Sequence, residues 1–145
     1  MKPSVFFTLV PEVTAGVFKL PEVNVDANEN AVRLVDALVR AALVDYRELT
    51  GRAEPPDVLG TPPGEERALE VFLCFLRASA LRARKVQVAL DAVKMHNPDV
   101  QQNPAFNLDL VRVIGRAERG TLQRARKLWR GDGWLTRLVG RDAQQ

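Results

Sequence analysis

The sequence contains very few of the residues from which most catalytic and metal centres are built. Of its 145 residues, one is a cysteine, Cys74, and one is a histidine, His96. A single cysteine excludes a disulfide within one chain, and without a second histidine a conventional zinc or Cys–His site is excluded too. No glycine-rich loop has the spacing of a phosphate-binding motif. We therefore expect no enzyme activity, no metal site and no cofactor.

Long apolar runs are also missing. The first residues, MKPSVFFTLVP, place one Lys before a short apolar stretch that ends at Pro11. This stretch is too short for the core of a signal peptide and far too short to cross a bilayer. The lone cysteine fits a reducing compartment. We expect a protein with no membrane partner that is located in the cytoplasm or within a viral particle.

Positive charge is abundant, but only in the second half of the chain. Residues 1–70 carry 7 Lys and Arg against 12 Asp and Glu, a net charge of −5. Residues 71–145 carry 14 against 6, a net charge of +8. Most of these cations are Arg, whose planar guanidinium binds phosphate in a bidentate way. The asymmetry favours nucleic acid, RNA or DNA, over other classes of partner.

Residues 1–27 differ in pattern from the rest of the chain. Pro3, Pro11 and Pro21 separate short β-prone pieces, which predicts an extended, partly β-like N-terminal arm. Its apolar side chains have to be buried somewhere. They lie either across the arm's own domain or against a neighbouring copy of the chain.

Residues 28–145 are predicted to form a single helical domain with linkers near 52–64 and 96–104. The first helix begins after Asn28 or Asn30 and ends near Gly51. Its apolar positions step by three and four along one stripe that consists of Val32, Val35, Val39, Ala42, Tyr46 and Leu49. This stripe predicts a contact face for other helices.

A long second helix is predicted up to about Met95, with Val71–Leu76 as its most buried turn. Further along this helix, Val86, Leu90 and Val93 continue the packed side. A third helix is predicted to run from Asn103 and Pro104 to about Arg119.

Gly120 predicts a stop, after which Thr121 begins a short fourth helix, and a final amphipathic segment follows Gly133. The predicted fold class is therefore mainly α. It is an irregular helix bundle of about five helices with the N-terminal arm attached.

The basic positions fall into rows on these helices. Arg77 and Arg84 share a face of the second helix. Arg112, Arg116 and Arg119 step by four and three, and a helix that continued through Gly120 would extend this row through Gln123, Lys127 and Arg130. Such a row follows successive phosphates. The predicted nucleic-acid-binding residues are Arg77, Arg82, Arg84, Lys85, Arg112, Arg116, Arg119, Arg124, Lys127, Arg130 and Trp134.

Two further features bear on these rows. An indole beside the row can stack on an unpaired base, but Trp129 fits a core position better than Trp134 does. The tetrapeptide RARK occurs at 82–85 and again at 124–127. We interpret this repeat as coincidence, because the hydrophobic match around the two copies fails within a few residues.

Two functions of different classes remain open. The first is a non-catalytic helical subunit that binds nucleic-acid backbone without reading its sequence, in multiple copies within a nucleoprotein assembly. The alternative is a structural or protein-interaction subunit, such as a viral or phage assembly component or a scaffold. That subunit would use the N-terminal arm and the first helix and bind no nucleic acid. Arginine rows also pair with acidic surfaces, so the charge asymmetry is compatible with self-association in either case.

Overall fold

The fold is known from a computed structural model that describes residues 1–94 and 104–131. Within these ranges the chain is mainly helical and contains no strand. Four α-helices are present in this part of the chain, together with two short 3₁₀ helices at Ala15–Phe18 and Val25–Ala27. The α-helices are α1 (Pro3–Leu9), α2 (Glu29–Thr50), α3 (Glu66–Lys94) and α4 (Pro104–Arg130).

The N-terminal segment forms helical turns, which corrects the prediction of an extended, β-like arm. Pro3 lies in the first turn of α1, where its missing N–H would have no acceptor within the helix. Pro11 and Pro21 lie outside the helices, so they separate the turns and break none of them. The amide and hydroxyl of Ser4 both donate to the Asp26 carboxylate at 2.7 Å, which ties α1 to the second 3₁₀ helix. Hydrogen bonds from the Ser4 hydroxyl and amide lower the pKa of Asp26.

α2 ends at the predicted Gly51, and of the two predicted caps at its start, Asn28 and Asn30, the structure selects Asn28. The Asn28 side chain accepts a hydrogen bond from the Ala31 amide at 3.0 Å and so caps the first turn. Gly51 ends the helix with a φ of 70°, a left-handed conformation that glycine adopts at little cost. The predicted stripe is correct at most positions but not at Val32, which is 44% exposed. The buried positions of α2 are Ala31, Val35, Leu38, Ala42 and Tyr46.

α3 lies between α2 and α4 and packs along both. Val71–Leu76 is buried as predicted, at five of its six residues, but it is not the single most buried turn, because residues 76–81 are buried to the same extent. Burial raises the pKa of the Cys74 thiol within this turn. Between the helices, the Ser79 hydroxyl donates to the Leu38 carbonyl at 2.8 Å, so this buried polar side chain has a partner.

The second half of α3 is less covered than its pattern predicts. Val86, Leu90 and Val93 are 51%, 49% and 74% exposed. The apolar side of α3 is therefore packed in its first half and open to solvent towards its C-terminal end.

The N-terminal segment contributes to the same core as the three long helices. Phe6, Val10 and Val13 are at most 1% exposed, and they belong to one apolar cluster with buried residues of α2, α3 and α4. Residues 1–27 thus pack against their own chain.

α4 continues through Gly120, which corrects the predicted stop and joins the predicted third and fourth helices into one. The Thr121 hydroxyl donates to the Ala117 carbonyl at 2.8 Å, across the position of the expected break. Glycine within a helix costs about 0.5–1 kcal/mol relative to alanine. Packing of the helix on α3 outweighs that cost, because its buried face continues on both sides of Gly120 at Ile114, Glu118, Thr121 and Ala125.

Two sequence predictions lie outside the described residues. The linker expected near 96–104 falls there except for its last residue, and so does the amphipathic segment after Gly133. The predicted count of five helices is thus not confirmed.

Candidate anion-binding surface

The side of α4 that faces away from α3 is lined with exposed cations. The inner side is defined by buried Ile114, Glu118 and Ala125. Cations recur on the other side at intervals of one turn or, between Arg119 and Arg126, two turns of the helix. From the first to the last they extend about 27 Å, at about 1.5 Å per residue. We name this set the outer row, and it consists of Arg112, Arg116, Arg119, Arg126, Lys127 and Arg130.

Most cations of the outer row lack a carboxylate partner in the described part of the chain. Arg112 is the exception, with its Nη1 atom 3.7 Å from Oδ1 of Asp109 and both side chains exposed. For the other five, no carboxylate of residues 1–93 or 108–131 lies within 4.0 Å. Between residues 110 and 131 the sequence has one acid, Glu118, and that side chain is directed at α3. The outer row is therefore a surface of positive potential.

The exposed face of α2 has a different charge pattern. Arg33 lies 4.0 Å from Glu29, and Arg40 lies 2.9 Å from Asp36, each an i,i+4 pair on the helix surface. Arg47 contacts Glu54 at 3.4 Å just beyond the helix end. Alternating charges of this kind are typical of a solvated helix face. The outer row of α4 departs from that pattern.

Two of the predicted binding residues on α3 instead hold α3 to α4. Arg82 Nε donates to Oε2 of Glu118 at 3.0 Å, and Lys85 Nζ donates to Oε1 at 2.8 Å. Burial by itself would raise the pKa of Glu118, but the hydrogen bonds from Lys85 and Arg82 and their charges hold it below its ordinary value. Arg82 and Lys85 are therefore largely neutralised by an internal partner.

The other two predicted residues of α3 are Arg77 and Arg84. Arg77 Nε is 3.1 Å from Glu12 Oε1, an ion-pair contact whose angle is not that of a hydrogen bond. Arg84, seven residues further on, is half-buried and has no carboxylate of the described residues within 4.0 Å. Of the four cations predicted on α3, three therefore have an internal acid partner, Glu12 for Arg77 and Glu118 for Arg82 and Lys85.

Trp129 is held between two guanidinium groups. The guanidinium carbons of Arg52 and Arg67 lie 5.1 Å and 4.9 Å from the centre of its ring. Arg52 is fixed in turn by Glu65, whose Oε2 accepts from its Nη1 at 2.6 Å. The indole is half-buried and packs on the core, so it joins the end of α4 to the start of α3. Trp134, the predicted stacking residue, lies outside the described residues.

A groove of about 590 Å³ lies beside the outer row, at the C-terminal half of α4. Arg67 of α3 lines it together with two cations of α4, Arg124 and Lys127, and no acid lines it. Its other lining residues are Gly120, Gln123, Leu128 and Gly131. Arg124 and Lys127 were predicted from the sequence.

Arg67 was missed, although its position carries a signal. A cation in the first turn of a helix is opposed by the positive end of the helix dipole, so an arginine there is unfavourable unless it has another role.

A second groove, of about 330 Å³, has mixed charge. Arg82, Arg126 and Arg130 line it, but so do Asp45 and Glu48. Burial raises the pKa of Asp45, while the charges of Arg82 and Arg126 oppose that rise. Because two acids line this groove together with its cations, an anion gains less from entering it than from entering the first groove.

The described residues show neither a metal centre nor a membrane span. No three His, Cys, Asp or Glu side chains come together there as metal ligands. None of the described helices combines the length and apolar composition needed to cross a membrane. Comparison with models of known protein families, with curated proteins and with solved structures finds no match.

Proposed function

We propose that this protein is a non-catalytic helical subunit that binds the backbone of nucleic acid, without reading its sequence, through the outer row of α4. The observation that carries the proposal is an exposed row of cations, most of which have no carboxylate of the described residues within 4.0 Å, although Arg126 and Arg130 also line the mixed groove with Asp45 and Glu48. A single helix presents these cations on one side, at intervals of three or four residues apart from a gap of seven between Arg119 and Arg126. Phosphate groups are the anions that occur in comparable rows on a natural polymer.

The contrast between α2 and α4 argues against a purely solvating role for these arginines. Both helices expose arginines, but those of α2 lie next to acids and those of the outer row mostly do not. Like charges along one helix face destabilise that helix by a few tenths of a kcal/mol per pair. An anion bound to the outer row would offset this repulsion, so we expect the row to have an anionic partner.

The length of the outer row supports binding in multiple copies. A row of about 27 Å covers about eight phosphates of one strand, at about 3.4 Å per nucleotide. A longer nucleic acid would then bind several copies side by side. The proposal therefore includes a stoichiometry that rises with the length of the oligonucleotide.

The first experiment removes three charges of the outer row together by replacing Arg112, Arg116 and Arg119 with Ala. Each lost phosphate contact reduces the slope of log affinity against log salt by about 0.7 for a single strand and about 0.9 for duplex DNA. We expect the slope to fall by about 2 to 3 and the affinity at low salt to fall with it. Fluorescence anisotropy of a labelled oligonucleotide across a salt series measures both.

The matched control replaces Arg33, Arg40 and Arg47 of α2 with Ala, which removes the same net charge from paired positions. We expect the slope of log affinity against log salt to be nearly the same for this variant as for the unaltered protein. An equal loss in both variants would show that net charge alone drives binding and would contradict the assignment to the outer row.

The competing function, a structural or protein-interaction subunit, predicts a different result for the unaltered protein. It would bind no oligonucleotide, single- or double-stranded, even at low salt. Phe6, Val10 and Val13 are buried in the core, so these three side chains are not available to a neighbouring copy. We therefore place the nucleic-acid function first.

A further inference from the structure

The groove beside the outer row has the composition of a discrete anion site. Three cationic side chains, Arg67, Arg124 and Lys127, come from two different helices and converge on it. Within the part of the chain that the structure describes, none of them has a carboxylate within 4.0 Å. Gln123 adds an amide that donates hydrogen bonds.

The backbone around the groove leaves room for a ligand. A Cβ atom built at Gly120 would meet no other atom within 4 Å, and Gly131 has a φ of 66° at the end of α4. The volume of about 590 Å³ is that of a site for a small organic molecule, well above what a single ion needs. Leu128 supplies an apolar patch to the same lining.

The helix dipoles do not cancel this positive charge. The C-terminal end of α4 carries a partial negative charge of about half an elementary charge, which falls off within the last turn. The N-terminal end of α3, where Arg67 lies, carries a similar positive one. The two partial charges oppose each other, so the three side chains decide the potential in the groove.

We propose that this groove binds a phosphate group carried by a nucleotide-sized ligand, with Arg67, Arg124 and Lys127 as its ligands. Guanidinium groups bind phosphate oxygens in pairs, and an ammonium group adds a point charge, so the set suits an anion of two or more charges. The space beside the three cations accommodates the rest of the ligand. The phosphate belongs either to a strand of nucleic acid or to a free nucleotide or polyphosphate.

This site does not depend on the outer row. Arg67 and Arg124 lie outside the row, whereas Arg116 and Arg119 lie outside the groove. Lys127 alone belongs to both. Variants of the first two residues therefore test the groove, and variants of the second two test the backbone-binding function.

The probe is inorganic tripolyphosphate, which carries several charges and does not absorb where tryptophan does. We expect saturable binding with one site per chain, measured by titration calorimetry. Replacing Arg124 with Gln should weaken it about tenfold or more, as expected when a charged hydrogen bond is lost. Replacing Arg33 and Arg40 of α2 with Gln should change it by less than about threefold, because these residues are paired with acids on their own helix and lie outside the groove.

Trp129 provides a second readout, because Arg67 both stacks on its ring and lines the groove. In a Trp134→Phe background the emission reports Trp129 alone, since the chain has two tryptophans. We expect tripolyphosphate to change this emission with the same midpoint as in calorimetry. Replacing Arg67 with Gln should abolish the change in Trp129 emission. The unfolding midpoint of the Arg67→Gln variant shows whether it is folded.

Competition distinguishes the sources of the phosphate. A short oligonucleotide with a 5′-phosphate that displaces tripolyphosphate, while the same strand with a 5′-hydroxyl does not, supports a strand terminus. Displacement by both supports an internal phosphodiester, and displacement by free nucleotide alone supports a free ligand. Absence of saturable tripolyphosphate binding, or equal binding by the Arg124→Gln variant, would contradict the proposed phosphate site in the groove. Neither result would bear on the outer row, which the salt dependence of oligonucleotide binding tests separately.

Discussion

At the scale of single residues, the most informative side chain is the buried Glu118. It accepts hydrogen bonds from Arg82 and Lys85 and so joins α3 to α4 at one point. The same two cations look like ligands for an external anion in the sequence. The position of one acid thus decides which basic residues stay inside the fold.

Replacing Glu118 with Gln should destabilise the protein by about 1–2 kcal/mol at pH 7. The charge-assisted character of both hydrogen bonds is lost, but the two cations are partly exposed and can turn to water. The folded-state pKa of Glu118 lies below its ordinary value of 4.5, so its contribution is present above that pH and is lost as the pH falls through the folded-state pKa. Urea unfolding measures this, and the free energies of unfolding of the unaltered protein and the variant should become more similar as the pH falls from 7 to 3.

Asp109→Asn is the control for this comparison, because its contact with Arg112 is 3.7 Å long and lies in solvent. Its effect should stay within about 0.5 kcal/mol at every pH. A loss of equal size in both variants would contradict the role assigned to the buried carboxylate.

At the scale of elements, the continuity of α4 determines what the cations can do. If the helix stopped at Gly120, the second half of the outer row would point in a direction of its own. The uninterrupted inner face keeps one helix axis from Pro104 to Arg130. This single axis aligns Arg116 and Arg119 with Lys127 and Arg130, and it brings Arg124 to the same groove as Arg67.

Replacing Gly120 with Ala should therefore stabilise the protein by about 0.5–1 kcal/mol. The backbone there is helical with no positive φ, the added methyl meets no neighbouring atom within 4 Å, and alanine loses less backbone entropy on folding. Thermal unfolding measures the change.

Gly51→Ala is the matched control, since its φ of 70° is strained for alanine. It should destabilise the protein by about 1 kcal/mol. If Gly120→Ala were the destabilising change of the two, Gly120 would not lie within a regular helix.

At the scale of the whole molecule, one core joins the N-terminal segment to the three long helices. Phe6 and Val13 are fully buried and Val10 nearly so, although 15 or more residues separate them from the start of α2. The bond from Ser4 to Asp26 closes this segment at the surface. The segment is thus an integral part of the fold and leaves α4 as the main exposed helix face with unbalanced charge.

Replacing Phe6 with Ala should cost about 3–5 kcal/mol, as large aromatic truncations in a core do. That is a large part of the stability of a domain of this size, about 5–15 kcal/mol. Val23→Ala, at a side chain that is 78% exposed, should change stability by less than about 0.5 kcal/mol. Denaturant unfolding compares the two, and similar small effects would show that residues 1–27 pack weakly on the core.

Sequence patterns were sufficient for the parts of the molecule that depend on local chemistry. Gly51 marked the end of α2, the choice of Asn28 or Asn30 marked its start to within two residues, and the apolar run at Val71–Leu76 marked a buried turn of the core. The exposure of Arg116 and Arg119 followed from helical spacing alone. These features depend on residues close together in the chain, so one sequence determines them.

Tertiary packing decided the rest, because it adds free energy that no local pattern contains. Burial against α3 keeps α4 helical through Gly120, and the shared core turns residues 1–27 into helical turns where three prolines favoured an extended arm. Only the folded chain brings Glu118 to Arg82 and Lys85, and Arg67 to Arg124. The sequence by itself determined that the second half is basic and helical, and the tertiary structure decided which of its cations remain available to an anion.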